Sequence, residues 1–260
     1  MSAAGSFGAR HPGRVVFIGA GPGAADLITV RGANRLAQAE VVLYDALTDP
    51  ALRALAPRAQ WLDVGKRGFG RSTGQDTIDA LLVHLAQRHR VVVRLKGGDP
   101  SVFGRLEEEL QALAAHGIEA EVVPGVTAAI AAAAATRRPL TRRGAGRSVS
   151  LATAMARDGP RAAPRSADTE VFYMAGRQLA RLGRQLQAAG WAADAPVCVV
   201  SRAGWPDQLA SDHTAATLGE AAMLHAGRPT VVTVGVGALP VAPKTAPAEH
   251  HLPRARAHAA

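Results

Sequence analysis

A single cysteine, Cys198, rules out a disulfide within this 260-residue chain and leaves no cysteine cluster for a metal. Aromatic residues make up only 4% of it, and no stretch interleaves basic with aromatic side chains. A platform for stacked bases is therefore not expected, nor nucleic acid as a partner. No run approaches the roughly 20 apolar residues that a membrane helix needs. The longest, Ala128 to Ala135, is alanine-dominated and reads as a tightly packed helix. The amino terminus lacks the basic stretch and apolar core of a secretory signal, so a cytoplasmic location is expected. No internal repeat is visible. His250, His251 and His258 fall in a tail rich in Pro, Ala and His without periodicity, and no metal is expected there.

Charge, by contrast, is in excess. The formal net charge is +9, and about three of those charges sit outside the periodic part, at Arg10, Lys244, Arg254 and Arg256 against Glu249. The remaining surplus favours an anionic partner. With aromatics so few, a small polyacid fits better than a nucleic acid. The hydrophobic fraction of 48% belongs to a globular chain with a sizeable core.

Residues 1–13 and 241–260 read as disordered tails. Between them, apolar β-branched runs alternate with helical patterns. Val15 to Ile18, Val41 to Tyr44, Val91 to Leu95 and Ala120 to Val123 fit buried strands. Asp76 to Arg88 places Ile78, Leu81, Leu82 and Leu85 on one helix face, and Leu106 to His116 repeats the pattern. Strands alternating with helices predict a mostly parallel sheet covered on both faces. A second series follows the basic stretch Arg137 to Arg147: Ser148 to Thr153, Val171 to Met174, a helix through Leu179, Leu182 and Leu186, Val197 to Val200 and Val231 to Val234. The expected fold class is α/β, with two α/β domains over 14–137 and 148–240 and a cleft between them.

Gly19-Ala20-Gly21-Pro22-Gly23 follows the first strand directly. Glycines there let the backbone turn sharply and approach a ligand. A dinucleotide fingerprint needs a third glycine where Ala24 stands, and Pro22 removes an N–H that a pyrophosphate would use. Asp45 ends the second strand. Holding a ribose, acting as a catalytic carboxylate and lying solvated in a loop all remain open for it.

Val93-Arg94-Leu95-Lys96-Gly97-Gly98-Asp99-Pro100-Ser101-Val102-Phe103-Gly104-Arg105 is the most specific stretch. It joins the glycine turn, Val42-Leu43-Tyr44-Asp45, Val64-Gly65-Lys66-Arg67, Val123-Pro124-Gly125-Val126-Thr127-Ala128, Pro139-Leu140-Thr141 and Val171-Phe172-Tyr173-Met174. In this order and spacing, over about residues 14–240, the chain resembles the uroporphyrinogen-III C-methyltransferases of the tetrapyrrole methylase family. Departures occur where the family usually shows histidine or paired glycines: Arg142, Met155, a position near Arg71, and Leu106-Glu107.

The resemblance implies two α/β domains, usually as a homodimer, with S-adenosylmethionine folded in the cleft as methyl donor. Carried over by position, the donor contacts are Pro22, Gly97, Gly98, Asp99, Val102, Thr127, Ala128, Met174 and Ala203. The catalytic candidates are Asp45 as proton acceptor and Lys66 as proton donor, with Arg105, Glu108 and Arg143 at polar positions linked to substrate binding or proton removal. A guanidinium is a poor base, so Arg105 and Arg143 are expected as carboxylate clamps. The implied reaction is methylation of uroporphyrinogen III at C2 and C7, through precorrin-1 to precorrin-2, without a metal. No dehydrogenase–chelatase module is expected alongside, so oxidation and metal insertion fall to other proteins. Rival readings are a methylase of a later precorrin, an rRNA or diphthamide methylase of the same fold, and a nucleotide-binding oxidoreductase.

Overall fold

The computed structural model describes residues 12–65, 74–155 and 164–242. Strands β1 (Arg14–Gly19), β2 (Val41–Tyr44), β3 (Gln60–Asp63), β4 (Val91–Lys96) and β5 (Ala120–Val123) form a first sheet in the order β3-β2-β4-β1-β5. Every pairing in it is parallel. Its central strands are apolar on both faces because both faces are covered. Val15, Phe17, Val41, Leu43 and Val92 pack under α2 (Gln75–Ala86) and α3 (Leu106–Ala114). Val16, Ile18, Val42, Val93 and Leu95 pack on the opposite face with Leu36 of α1 (Val30–Leu36) and with Leu52. The glycine turn leads first into a single 3-10 turn at Ala25–Leu27. The α-helix starts only at Val30, where the Thr29 hydroxyl caps the Gly32 N–H at 3.0 Å.

The second sheet is built from β6 (Val149–Thr153), β7 (Thr169–Tyr173), β8 (Pro196–Ser201), β9 (Leu209–Thr214) and β10 (Thr230–Gly235), in the order β6-β7-β10-β8-β9. The first sheet is parallel as its alternation with helices predicts, but strand direction in this second sheet is mixed. Only β6 and β7 run parallel, while β7–β10, β10–β8 and β8–β9 are antiparallel. β9 escaped the sequence reading, as did β3. Both are edge strands, where polar residues such as Ser211 and Asp212 interrupt any apolar run. α5 (Leu179–Ala188) lays Leu179, Leu182 and Leu186 on one face of this sheet with Trp191 and the short α6 (Ala221–Leu224). The alanine-rich α4 (Ala128–Thr136) lies after β5 but packs on the other face, with Ala129, Ala131 and Ala132 against Val171, Tyr173 and Val200. Alanines allow that close approach.

Between the sheets, Arg138 reaches Asp212 with both guanidinium nitrogens and donates to the Ala238 carbonyl at 2.8 Å. Arg142 turns inward as well, donating to the carbonyls of Leu239 and Pro240. The connecting segment is thereby tied to the end of the second sheet.

Candidate active site

The loops after β1 and β4 meet because those strands are neighbours pointing the same way. Gly21 and Gly98 exchange backbone hydrogen bonds, Gly98 N–H to Gly21 C=O at 2.7 Å and the reverse at 3.3 Å. Glycine is required at this crossing. A Cβ on Gly125 would come within 2.3 Å of the Gly98 carbonyl, and one on Gly19 within 2.5 Å of the Gly125 Cα. Asp99 holds the crossing to the loop before α4, its carboxylate accepting from the N–H groups of Ser101 and Gly125, both at 2.8 Å. Such carboxylate–amide bonds fix the loop rather than leave an acid free.

Above this floor lies a cavity of about 240 Å³ between the two sheets. From the first sheet's side it is lined by Pro22, Gly97, Gly98, Asp99 and Val102, with Thr127 and Ala128 from the start of α4. Met174 and Ala203 close it from the second sheet. All nine positions expected to meet the methyl donor thus border one space. Sequence reasoning missed Leu47, Phe103, Tyr173, Arg202, Trp205 and Thr230, which also line it. Phe103 sits in the specific motif and could have been found there; Trp205 stands out only as one of three tryptophans.

Several wall residues adopt left-handed backbone: Phe103 (φ 53°), Met174 (φ 57°) and Arg202 (φ 51°). Non-glycine residues in this region cost on the order of 1–3 kcal/mol each, and such strain gathers at functional sites. The Tyr173 hydroxyl bonds Thr127 Oγ1 at 2.7 Å and accepts from the Ala129 N–H at 3.3 Å, which ties the second sheet to α4. Burial pushes the Tyr173 phenol up, so it stays neutral.

Asp45 stands beside this cavity rather than in it. It lines an open hollow of about 400 Å³ with Tyr44, Asp49, Arg53, Trp61 and Asp63, and Leu47, two residues on, is part of the cavity wall. Arg94 Nη2 donates to Asp45 Oδ1 at 2.7 Å. Arg105, Glu108 and Arg143 are not among the residues lining either space. Arg105 and Glu108 pair with each other at the exposed start of α3, so the guanidinium expected to clamp substrate is occupied by a neighbour. Arg143 is exposed on the turn closed by Arg142 and Gly146. Lys66 and Arg71 lie outside the described residues.

Comparison with known proteins decides the family. Residues 14–222 match the tetrapyrrole (corrin/porphyrin) methylases. The chain belongs to that family. It is 44% identical over 195 residues to a uroporphyrinogen-III C-methyltransferase of Pseudomonas aeruginosa, covering 74% of this chain and 80% of that one. With the enzyme of that name from Synechocystis it shares 40% over 232 residues, 86% and 88% of the two chains. A siroheme synthase of Neisseria meningitidis is 42% identical over 229 residues, and the chain spans about half that protein's length (47%). Among solved structures, the uroporphyrin-III C-methyltransferase of Thermus thermophilus complexed with S-adenosylhomocysteine superposes with a TM-score of 0.74 at 34% identity, covering 86% of this tetrapyrrole methylase and 97% of its own chain. A cobalt precorrin-4 methyltransferase reaches 0.75 at 30% identity, covering 87% and 96%. The expected fold class and methyltransferase activity agree with these likenesses.

Proposed function

We propose that this methylase transfers methyl groups from S-adenosylmethionine to uroporphyrinogen III, at C2 and C7, giving precorrin-2 through precorrin-1. The observation that carries the reading is the convergence of nine residues from five separate stretches of the chain on one cavity beside Asp45. The cavity suits the donor. Gly97 and Gly98 leave its floor open: a Cβ built on Gly98 would meet nothing nearer than Thr127 Cα at 3.8 Å. Val102, Ala128 and Met174 offer an apolar wall for a flat base.

In the reaction a nucleophilic ring carbon attacks the sulfonium methyl carbon. A C–C bond forms, the S–CH3 bond breaks, and its electron pair stays on sulfur as the thioether. A proton then leaves the macrocycle, and we assign Asp45 as the carboxylate that accepts it. The enzyme's main contribution is to hold the two reactants in line. The tetrapyrrole would lie over the Asp45 hollow, where Arg53 stands 5.3 Å from the Tyr44 ring centroid and 5.7 Å from that of Trp61 and can meet a substrate carboxylate. From the family reading we take the working form to be a cytoplasmic homodimer.

Fold alone does not choose the substrate, since the two methyltransferase likenesses differ by only 0.01 in TM-score. The relatives of higher identity favour uroporphyrinogen III over a later precorrin. Anaerobic incubation with donor and uroporphyrinogen III, followed by mass analysis, tests this. Two added methyl groups are expected; an unchanged substrate, with turnover of a later precorrin, would reject it.

A further inference from the structure

Strand alternation puts Arg94 and Lys96 in one row with Val92, on the face of the first sheet that α2 and α3 cover. Both are 3% exposed. Their partner is Glu109, on the first turn of α3 and fully buried. Arg94 Nε donates to Glu109 Oε1 at 2.8 Å, and Lys96 Nζ to Glu109 Oε2 at 2.6 Å. The other arm of Arg94 reaches forward to Asp45 Oδ1, and Nη1 donates to the Leu95 carbonyl at 3.3 Å. Two cations and two carboxylates thus form a neutral chain running from the core to the hollow. Burial works against the Arg94 charge, yet Asp45 and Glu109 outweigh it and hold the guanidinium above its ordinary value. Burial, with Arg94 alongside, pulls the Lys96 ammonium down, and Glu109 counters this in part.

Stability does not account for such a chain. Charges taken from water into a core cost several kcal/mol each, and apolar residues of similar volume commonly do as well or better. What the chain does supply is geometry. Asp45 sits where β2 has ended, and among the described residues Arg94 is the one hydrogen-bonding partner of its side chain. Arg94 in turn cannot swing away. Its strand lies between β2 and β1, in register with Leu43 and Phe17, and Glu109 grips it from behind.

We propose that Arg94, braced by Glu109 and Lys96, is a positioning residue. It holds Asp45 by Oδ1 and so presents the carboxylate's other oxygen to the hollow where substrate lies. The inference rests on the reading of Asp45 as proton acceptor and adds the device that aims it. The fork of an arginine spans two carboxylates at once, which a lysine's point charge cannot do.

The test is a double-variant cycle on the full chain, read as kcat and KM for both substrates. Asp45→Asn should lower kcat about a hundredfold or more, a general-base contribution. Arg94→Lys keeps the buried charge but releases Asp45, and should lower kcat on the order of 10- to 100-fold through misplacement alone. KM values and S-adenosylhomocysteine affinity should change less than about twofold, since the donor cavity is untouched. In the Asp45→Asn background Arg94→Lys should cost nothing further. Losses that multiply, or an Arg94→Lys variant with wild-type kcat, overturn the proposal. If Arg94→Lys does not fold, Glu109→Gln loosens Arg94 from behind and is read in the same way. A crystal structure of whichever variant is used gives a readout independent of substrate: Asp45 should leave its wild-type orientation, and an unmoved Asp45 rejects the positioning role. A wild type that binds S-adenosylhomocysteine but leaves uroporphyrinogen III unmethylated speaks against the proposed substrate only.

Discussion

Trp205 closes over the glycine turn, its indole N–H donating to the Pro22 carbonyl at 3.2 Å while its ring lies where a Cβ on Gly23 would be, 2.3 Å away. Arg202 stacks on the indole, 4.4 Å from the ring centroid, and is held by Asp207. The hydrogen bond links the loop after β8 directly to the turn after β1. Trp205→Phe removes one hydrogen bond, worth about 0.5–1.5 kcal/mol, so S-adenosylhomocysteine affinity should fall roughly two- to tenfold. Calorimetry on the variant checks it; unchanged affinity would mean that the cavity does not depend on this closure.

Filling the cavity should block the donor outright. Ala128 opens α4 and lines the space without the backbone strain that a substitution at Gly98, with φ +72°, would add. Ala128→Trp should abolish S-adenosylhomocysteine binding and leave far-UV circular dichroism unchanged. Retained binding in a folded variant would displace the donor from this cavity.

Arg105 and Arg143 should matter little. Each is exposed, and Arg105 is already engaged by Glu108. Exposed pairs contribute about 0–1 kcal/mol, so alanine at either position should change substrate KM by no more than about fivefold. A loss of tenfold or more in steady-state kinetics would return them to the role of carboxylate clamps, with Glu108 as a placeholder for substrate.

The pH dependence of stability should carry the mark of His225. This residue is fully buried, its Nδ1 2.9 Å from Ser201 Oγ and its Nε2 2.9 Å from Ser211 Oγ, which in turn meets His213 at 2.8 Å. Burial, then His213 and Arg228, pull the imidazole below its ordinary value of 6.5. The folded state therefore holds His225 neutral while the unfolded state protonates it first. Its contribution is present above 6.5 and is lost as pH falls from there through the depressed folded value. Melting temperature should drop between about pH 7 and 5, and less steeply in His225→Gln. Equal slopes in the two proteins would assign the acid sensitivity elsewhere.

Much of the cavity was legible from sequence because its residues sit in contiguous motifs at strand ends, where parallel sheets place ligands. Gly97, Gly98 and Asp99 follow β4 directly, and Pro22 lies three residues after β1. Arg94 and Lys96 were not legible as a buried pair. In sequence they look like the polar end of an apolar strand, and only the register of α3, which brings Glu109 beneath them, makes burial affordable. The partners of Arg142 were not legible either. Nothing local shows that its guanidinium meets carbonyls about a hundred residues away at Leu239 and Pro240. The mixed direction of the second sheet was hidden too, because alternation of apolar runs carries no sign of strand direction.

The exchange of hydrogen bonds between Gly21 and Gly98 also bears on what the floor of the cavity can bind. A diphosphate is held at such glycine loops by free backbone N–H groups that converge on its oxygens. Here two of those donors face each other's carbonyls, and Pro22 between them has none to offer. The floor is therefore a poor host for the pyrophosphate of a nicotinamide dinucleotide. A donor that carries its electrophilic methyl carbon on a sulfonium has no pyrophosphate to cradle, and the paired N–H groups of Gly21 and Gly98 suit such a ligand better.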